Sequence, residues 1–318
     1  MKEAKRIKGV LAPVVTPFNA DLSPHPERFI AHCRWLLSQH CGLAVFGTNS
    51  EANSLSVNER IALLEALAAA DVDTSRMMPG TGCCALTDSV RLTEHAVKLG
   101  CAGVLMLPPF YYKGVSDDGL YRNFAEIIER VGDARLRIYL YHIPPVAVVG
   151  ITPKLVERLI KAYPSSIAGM KDSSGDWRNT KTMLDAFAKS GFDVFVGSET
   201  FLLANMRNGG AGCISATANV NPAAIHRLWA EWQSSNADDQ QAALNVVRDA
   251  FGKKYTMIPA LKQAIAHFGD DPQWAMVRPP LDNLTPEQAV SLIAELQQID
   301  FTMPGLKEMS AHAATVTL

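Results

Sequence analysis

The sequence predicts a (β/α)8 TIM barrel with a C-terminal helical extension, and three observations predict it. Short apolar runs alternate with amphipathic stretches nearly from end to end. The runs lack polar alternates, as expected of parallel strands covered on both faces. The chain has 318 residues, 48% of them hydrophobic. That is enough for a barrel of the usual ~250 residues with helices to spare.

The strand-like runs are Gly9–Val15, Leu43–Phe46, Met77–Pro79, Val104–Leu107, Ile138–Tyr141, Ile167–Met170, Val194–Val196 and Cys213–Ser215. Between them, Asn58–Ala70 places Ile61, Leu64, Leu67 and Ala68 at helical spacing, and Ser56-Val57-Asn58-Glu59 reads as a capping box. Thr87–Leu99, Asp117–Val131 and Asp176–Lys189 fill further helical slots, and Thr152-Pro153 opens another with a threonine cap and a first-turn proline. Residues 1–225 are assigned to the barrel, and residues 226–318 to the last barrel-helix region and the extension. The latter part reads as all-helical: Pro222–Trp232, Asp238–Phe251 and a last helix capped by Thr285-Pro286-Glu287-Gln288. Only the tail, roughly Glu308–Leu318, reads as loosely held. A doubly wound open sheet gives the same alternation and is the alternative architecture.

Composition narrows the function classes. A net charge of -2 provides no basic surface for nucleic acid and no polybasic stretch for an anionic membrane. No apolar run approaches the ~20 residues that span a bilayer, and the charged start Met1-Lys2-Glu3-Ala4-Lys5-Arg6 lacks a signal-peptide core. The six cysteines form no C-x-x-C pair, so reduced thiols in a cytoplasmic protein are expected.

Active sites of such barrels sit where strands end, which shortens the search. Lys171 ends the run Ile167–Met170 and is followed by Asp172-Ser173-Ser174-Gly175-Asp176. Burial at a strand end disfavours an ammonium, so a lysine placed there can become a nucleophile toward a carbonyl. Other strand ends supply Gly47-Thr48-Asn49-Ser50-Glu51, Pro109-Phe110-Tyr111-Tyr112, Tyr141-His142-Ile143-Pro144 and Gly212-Cys213-Ile214-Ser215-Ala216. The first offers backbone N–H, hydroxyl and amide donors suited to a small carboxylate. Tyr141 can protonate a departing hydroxide as a carbinolamine becomes an imine, and Thr48 and Tyr111 can carry that proton toward solvent. Singly, each has an ordinary reading as a turn or a packing residue. Their common placement at strand ends carries the joint one.

These segments, with Ala12-Pro13-Val14-Val15-Thr16-Pro17-Phe18 and Gly169-Met170-Lys171-Asp172, stand in the order and spacing of one known family. From about residue 8 to about 300 the chain resembles the dihydrodipicolinate synthase / N-acetylneuraminate lyase family of Schiff-base aldolases and lyases. The resemblance implies that Lys171 forms an imine with pyruvate or a related 2-oxo acid and that Tyr141 is the acid/base residue above it. It implies that Thr48 and Asn49 hold the keto-acid carboxylate, that Thr48 links Tyr141 to Tyr111, and that Ile214 packs near the imine. In the family the tyrosine at the Tyr111 position reaches into a neighbouring subunit's site, so a homotetramer built as a dimer of dimers is implied. No cofactor is expected.

Departures from the synthase pattern bear on the second substrate. Dihydrodipicolinate synthases carry an arginine shortly after the Tyr141 motif, which grips the aldehyde substrate's carboxylate. Here that stretch is Pro145-Val146-Ala147-Val148-Val149. Gly-Thr-Asn-Ser-Glu replaces the usual Gly-Thr-Thr-Gly-Glu, and with Tyr-Tyr-Lys-Gly it is more similar to the 4-hydroxy-2-oxoglutarate aldolase branch. Tyr-His-Ile-Pro is similar to the N-acetylneuraminate lyase branch. The expected function is therefore a 4-hydroxy-2-oxo acid or deoxy-sugar-acid aldolase. The alternatives are 4-hydroxy-tetrahydrodipicolinate synthase and a non-catalytic keto-acid sensor, though the latter fits poorly with a chain keeping both the lysine and the tyrosine. A metal-dependent aldolase would need clustered ligands, whereas the eight histidines are scattered without H-x-H or H-E-x-x-H. His142 alone lies at a strand end, where it is expected to shape the second-substrate pocket. No dinucleotide or P-loop signature occurs.

Overall fold

The computed structural model describes residues 6–308; the tail expected to be loosely held lies, from residue 309, outside the described residues. In chain order the strands are β1 (Gly9–Ala12), β2 (Gly42–Leu43), β3 (Val104–Met106), β4 (Ile138–His142), β5 (Ile167–Asp172), β6 (Asp193–Val196) and β7 (Gly212–Ile214). The helices are α1 (Pro26–Ser38), α2 (Val57–Ala69), α3 (Leu86–Lys98), α4 (Asp117–Val131), α5 (Pro144–Ala147), α6 (Pro153–Ala162), α7 (Trp177–Phe187), α8 (Leu202–Arg207), α9 (Pro222–Ala230), α10 (Ala237–Gly252), α11 (Met257–Phe268) and α12 (Pro286–Gln298). The predicted caps are in place. Ser56 and Glu59 exchange both capping-box bonds, at 3.2 and 2.7 Å, Thr152 Oγ1 accepts the Leu155 N–H, and Thr285 accepts that of Gln288.

The chain divides into two compact units. The first joins residues up to Gly9 with Asp73–Ile214. It holds β3 to β7 as consecutive parallel neighbours, with α3, α4, α6 and α7 packed in succession. The predicted strand Met77–Pro79 is not regular, yet it runs beside β3. Ala102 N–H donates to Met77 O, Leu105 N–H to Pro79 O and Thr81 N–H to Leu105 O, at 2.9–3.0 Å. One glycine sets the layer below the site. A Cβ on Gly169 would stand 2.2 Å from Asp193 O and 2.8 Å from the Tyr139 ring, so only glycine lets that ring lie across β5.

The second unit joins Val10–Val72 with the chain from Ser215 onward. Here β1 pairs with β2, Leu11 opposite Gly42 and Ala12 opposite Leu43. Both predicted runs are longer than the strands that form. After Ala12, Asn219 replaces the ladder: its amide donates to Pro13 O and accepts from Val15 N–H, at 3.1 and 3.0 Å. After Leu43 the run breaks because Phe46 takes a left-handed φ of 62°, which no strand residue adopts. Helices α10, α11 and α12 pack on one another, and α11 buries Ala260, Leu261, Lys262, Ala264 and Ile265 almost completely.

Candidate active site

In the first unit, the parallel ladder of β4 and β5 sets Tyr141 directly beside Lys171. Neighbouring residues of a parallel pair project from the same face, so the two side chains meet. Lys171 Nζ lies over the Tyr141 ring, 4.4 Å from its centroid, and the residues are only 2% and 4% exposed. The contact sets the amine nitrogen beside a phenol. Phe195 on β6 continues the rung on the other side of Lys171. Ile214, at the C-terminal end of β7, is fully buried in the same unit.

The residues one step further along the strands turn to the opposite face and act as anchors. Asp172 is buried, and its carboxylate accepts from Ser174 N–H, Asn179 Nδ2 and Thr180 Oγ1 at 2.8, 2.9 and 2.7 Å. Three donors tie the strand end behind Lys171 to the start of α7. Asp172 was visible in the sequence only as part of the lysine motif. His142, opposite Asp172 in the ladder, turns to the face opposite Tyr141. Its Nδ1 accepts the Ile151 N–H at 2.9 Å, fixing the neutral ring with its proton on Nε2 and clasping the segment after α5.

Burial pulls the His142 pKa down, with Asp172 opposing. The unfolded chain therefore takes up a proton near pH ~6.5 that the folded chain refuses until lower pH. The stability His142 contributes is complete above ~6.5 and is lost as pH falls from there toward the folded value. Melting temperatures read between pH 7.5 and 5 should fall further for the wild type than for His142→Gln, whose amide oxygen can accept the same N–H without titrating. Parallel pH curves would remove this assignment.

Tyr111 is placed differently from Tyr141. It is 72% exposed and stands edge-on to Tyr112, with ring centroids 5.3 Å apart. Lys113 Nζ donates to Phe110 O and to Ala147 O, tying this loop to α5. Val146 and Val148, in the stretch without an arginine, are each 61% exposed. Arg178, just after the lysine loop, has a 91%-exposed side chain that pairs with Asp176 at 3.2 Å.

Thr48 and Asn49 belong to the second unit, on a single 3-10 turn, Thr48–Ser50. Ser50 closes the turn on itself, its Oγ accepting the Gly47 N–H at 3.1 Å, and Thr16 Oγ1 donates to Ser50 O at 2.7 Å. Glu51 follows with φ 55° and ψ 31° and forms a buried ion pair with Lys262 at 2.7 Å. The sequence reading missed this pair, because the partners lie 211 residues apart. Burial lowers the Lys262 pKa to about 8, opposed by Glu51. Lys262 is nonetheless no rival nucleophile, as both ion-paired side chains are 0% exposed. Among the described residues, no group of three or more His, Cys, Asp or Glu is placed to hold a metal ion, and no helix is long and apolar enough to cross a membrane.

Comparison with known proteins bears on the family and the fold. The model of the Dihydrodipicolinate synthetase family matches residues 6–299. The uncharacterized DapA-like lyase of Chloroflexus aurantiacus is 33% identical over 92% of this chain and 97% of its own. The crystal structure of dihydrodipicolinate synthase from Agrobacterium tumefaciens superposes with a TM-score of 0.84 at 30% identity, covering 92% of this chain and 99% of that one. YagE, a prophage protein of the dihydrodipicolinic acid synthase family from E. coli K12 solved in complex with pyruvate, gives a TM-score of 0.84 at 26% identity, over 93% and 99%. The fold is thus the predicted (β/α)8 barrel with its C-terminal helical extension.

Proposed function

From the premise that this chain belongs to the dihydrodipicolinate synthetase family of carbon–carbon lyases, we propose that it is a Schiff-base aldolase acting on pyruvate or a related 2-oxo acid. The observation that carries the reading is the buried amine of Lys171 held 4.4 Å over the Tyr141 ring at adjoining strand ends. The neutral amine of Lys171 adds to the keto carbon, giving a carbinolamine. Tyr141 donates a proton to the departing hydroxyl, water leaves, and an iminium remains. Loss of a proton from the adjoining carbon gives an enamine, which adds to an aldehyde; water then releases the product from Lys171. In the reverse sense the same steps cleave a 4-hydroxy-2-oxo acid. Thr48 and Asn49 are proposed for the keto-acid carboxylate and Ile214 for the wall beside the imine, as the resemblance implies. YagE, a relative of similar fold, was solved with pyruvate.

The second substrate follows from the exposed apolar stretch. An arginine grips a carboxylate through two charge-assisted bonds, and Val146 and Val148 offer none. An anionic group left poorly paired costs roughly 1.5–3 kcal/mol, or about tenfold to a hundredfold in specificity. We therefore assign preference to a 4-hydroxy-2-oxo acid or deoxy-sugar acid over aspartate semialdehyde. The second reading is the synthase itself, favoured by the Agrobacterium likeness. Comparing kcat/KM side by side for retro-aldol cleavage and for condensation of pyruvate with aspartate semialdehyde decides it. Efficient condensation would restore the synthase assignment. Tyr111, exposed and beside Tyr112, is proposed to complete a neighbouring subunit's site in a homotetramer. The experiment that tests the central proposal is borohydride reduction with pyruvate, followed by mass mapping of the modified peptide.

A further inference from the structure

The ion pair of Lys262 and Glu51 takes no part in the proposed chemistry, yet both partners are buried. Both side chains are 0% exposed, with Nζ 2.7 Å from Oε1. The other carboxylate oxygen accepts the backbone N–H of Arg278 at 2.8 Å. The Arg278 guanidinium is itself held, bonding Glu59 and the carbonyls of Ser54 and Leu22. The Phe18 ring faces both cations, 4.5 Å from Lys262 Nζ and 4.8 Å from the Arg278 guanidinium carbon. Each oxygen of Glu51 is thereby fixed from a different part of the second unit, one from α11 and one from the chain before α12.

What these bonds hold is a backbone conformation that a side-chain-bearing residue rarely adopts. Glu51 sits at φ 55° and ψ 31° and closes the Thr48–Ser50 turn, where a glycine would be the default. Such a conformation persists where the surroundings over-determine it, and such places cluster at ligand clamps. Stability alone is a weak reason for a buried ion pair, because an apolar pair of similar volume often does as well. A fixed geometry is the better reason, since the two bonds together leave the carboxylate, and the backbone that carries it, one orientation.

We infer that Lys262 is a positioning residue which, through Glu51, holds the Thr48–Ser50 turn in the form that presents Thr48 and Asn49 to the carboxylate of the keto acid. The inference rests on the proposed Schiff-base reading and adds to it a residue that never meets substrate. Its signature is selectivity: a clamp for a carboxylate matters only to ketones that carry one.

The test is borohydride trapping by the wild type, by Lys262→Met and by Glu51→Gln/Lys262→Met. The double variant removes both buried charges at near-constant volume, so it remains informative if the single variant does not fold. Each is titrated with pyruvate and with hydroxyacetone, a ketone without a carboxylate, and each fold is checked by circular dichroism. Half-saturating pyruvate should rise about tenfold or more, while the trapping rate at saturation changes less than about threefold and the second-order rate with hydroxyacetone less than about twofold. A folded double variant with unshifted pyruvate saturation overturns the inference, and so does an equal loss for both ketones, which marks a merely structural pair. If the wild type traps no pyruvate at all, the Schiff-base reading falls and this inference with it. Wild-type trapping with unshifted variants sinks the inference alone.

Discussion

Lys171→Ala should abolish the borohydride-trapped adduct with pyruvate and lower turnover by on the order of 10⁴-fold or more, the scale of a lost nucleophile. The expectation rests on the place of Lys171 beside a phenol at adjoining strand ends. Lys171 is 2% exposed and held beside Tyr141, while Lys262 is locked onto Glu51 and Lys113 bonds the carbonyl oxygens of Phe110 and Ala147. Alanine also leaves a void, which in a core costs ~2–5 kcal/mol for a side chain of this bulk. Lys171→Met is therefore the companion variant: it keeps the volume, should melt close to the wild type, and should be equally inactive. An adduct that maps to another lysine, or that survives in both variants, would show that the nucleophile lies elsewhere.

Much of this site was legible in the sequence because its logic is local. Lys171 and Tyr141 each end a short apolar run and Ile214 lies within one, and a strand end is a position that hydrophobic patterning marks directly. The caps Ser56, Thr152 and Thr285 were legible for the same reason, since each bonds a residue three positions on. Helix α11 was not. Buried on most of its circumference, it lacks the polar face by which a surface helix declares itself. Helix α1 starts from His25, whose ring accepts the Arg28 N–H, and histidine is not a residue that signals a cap. The Lys262–Glu51 pair was invisible because nothing local distinguishes a buried lysine from a surface one. The facing of His142 required the register itself: it follows Tyr141 by one residue, and one step along a strand reverses the face.

Tyr141→Phe should lower turnover by about 10² to 10⁴-fold, the range for a positioned general acid/base, and leave the fold almost untouched. The substitution is sparing because the ring that lies beneath Lys171 Nζ remains, and with it the packing of a side chain only 4% exposed. What goes is one hydroxyl, and a phenol has two duties in the proposed sequence. It donates the proton that turns the leaving hydroxyl into water, and it later takes or relays the proton lost as iminium becomes enamine. Both steps can be read apart from the second substrate: the rate of adduct formation with pyruvate reports the first, and exchange of the pyruvate methyl protons with deuterium from solvent reports the second. Both should slow together in Tyr141→Phe. Tyr111→Phe should slow them less, since Tyr111 is exposed and edge-on to Tyr112, and under the proposed role in a neighbouring subunit's site its effect should vanish when the assembly is diluted apart. Near-normal exchange in Tyr141→Phe would remove the tyrosine from the proton path and leave its ring as a platform for Lys171.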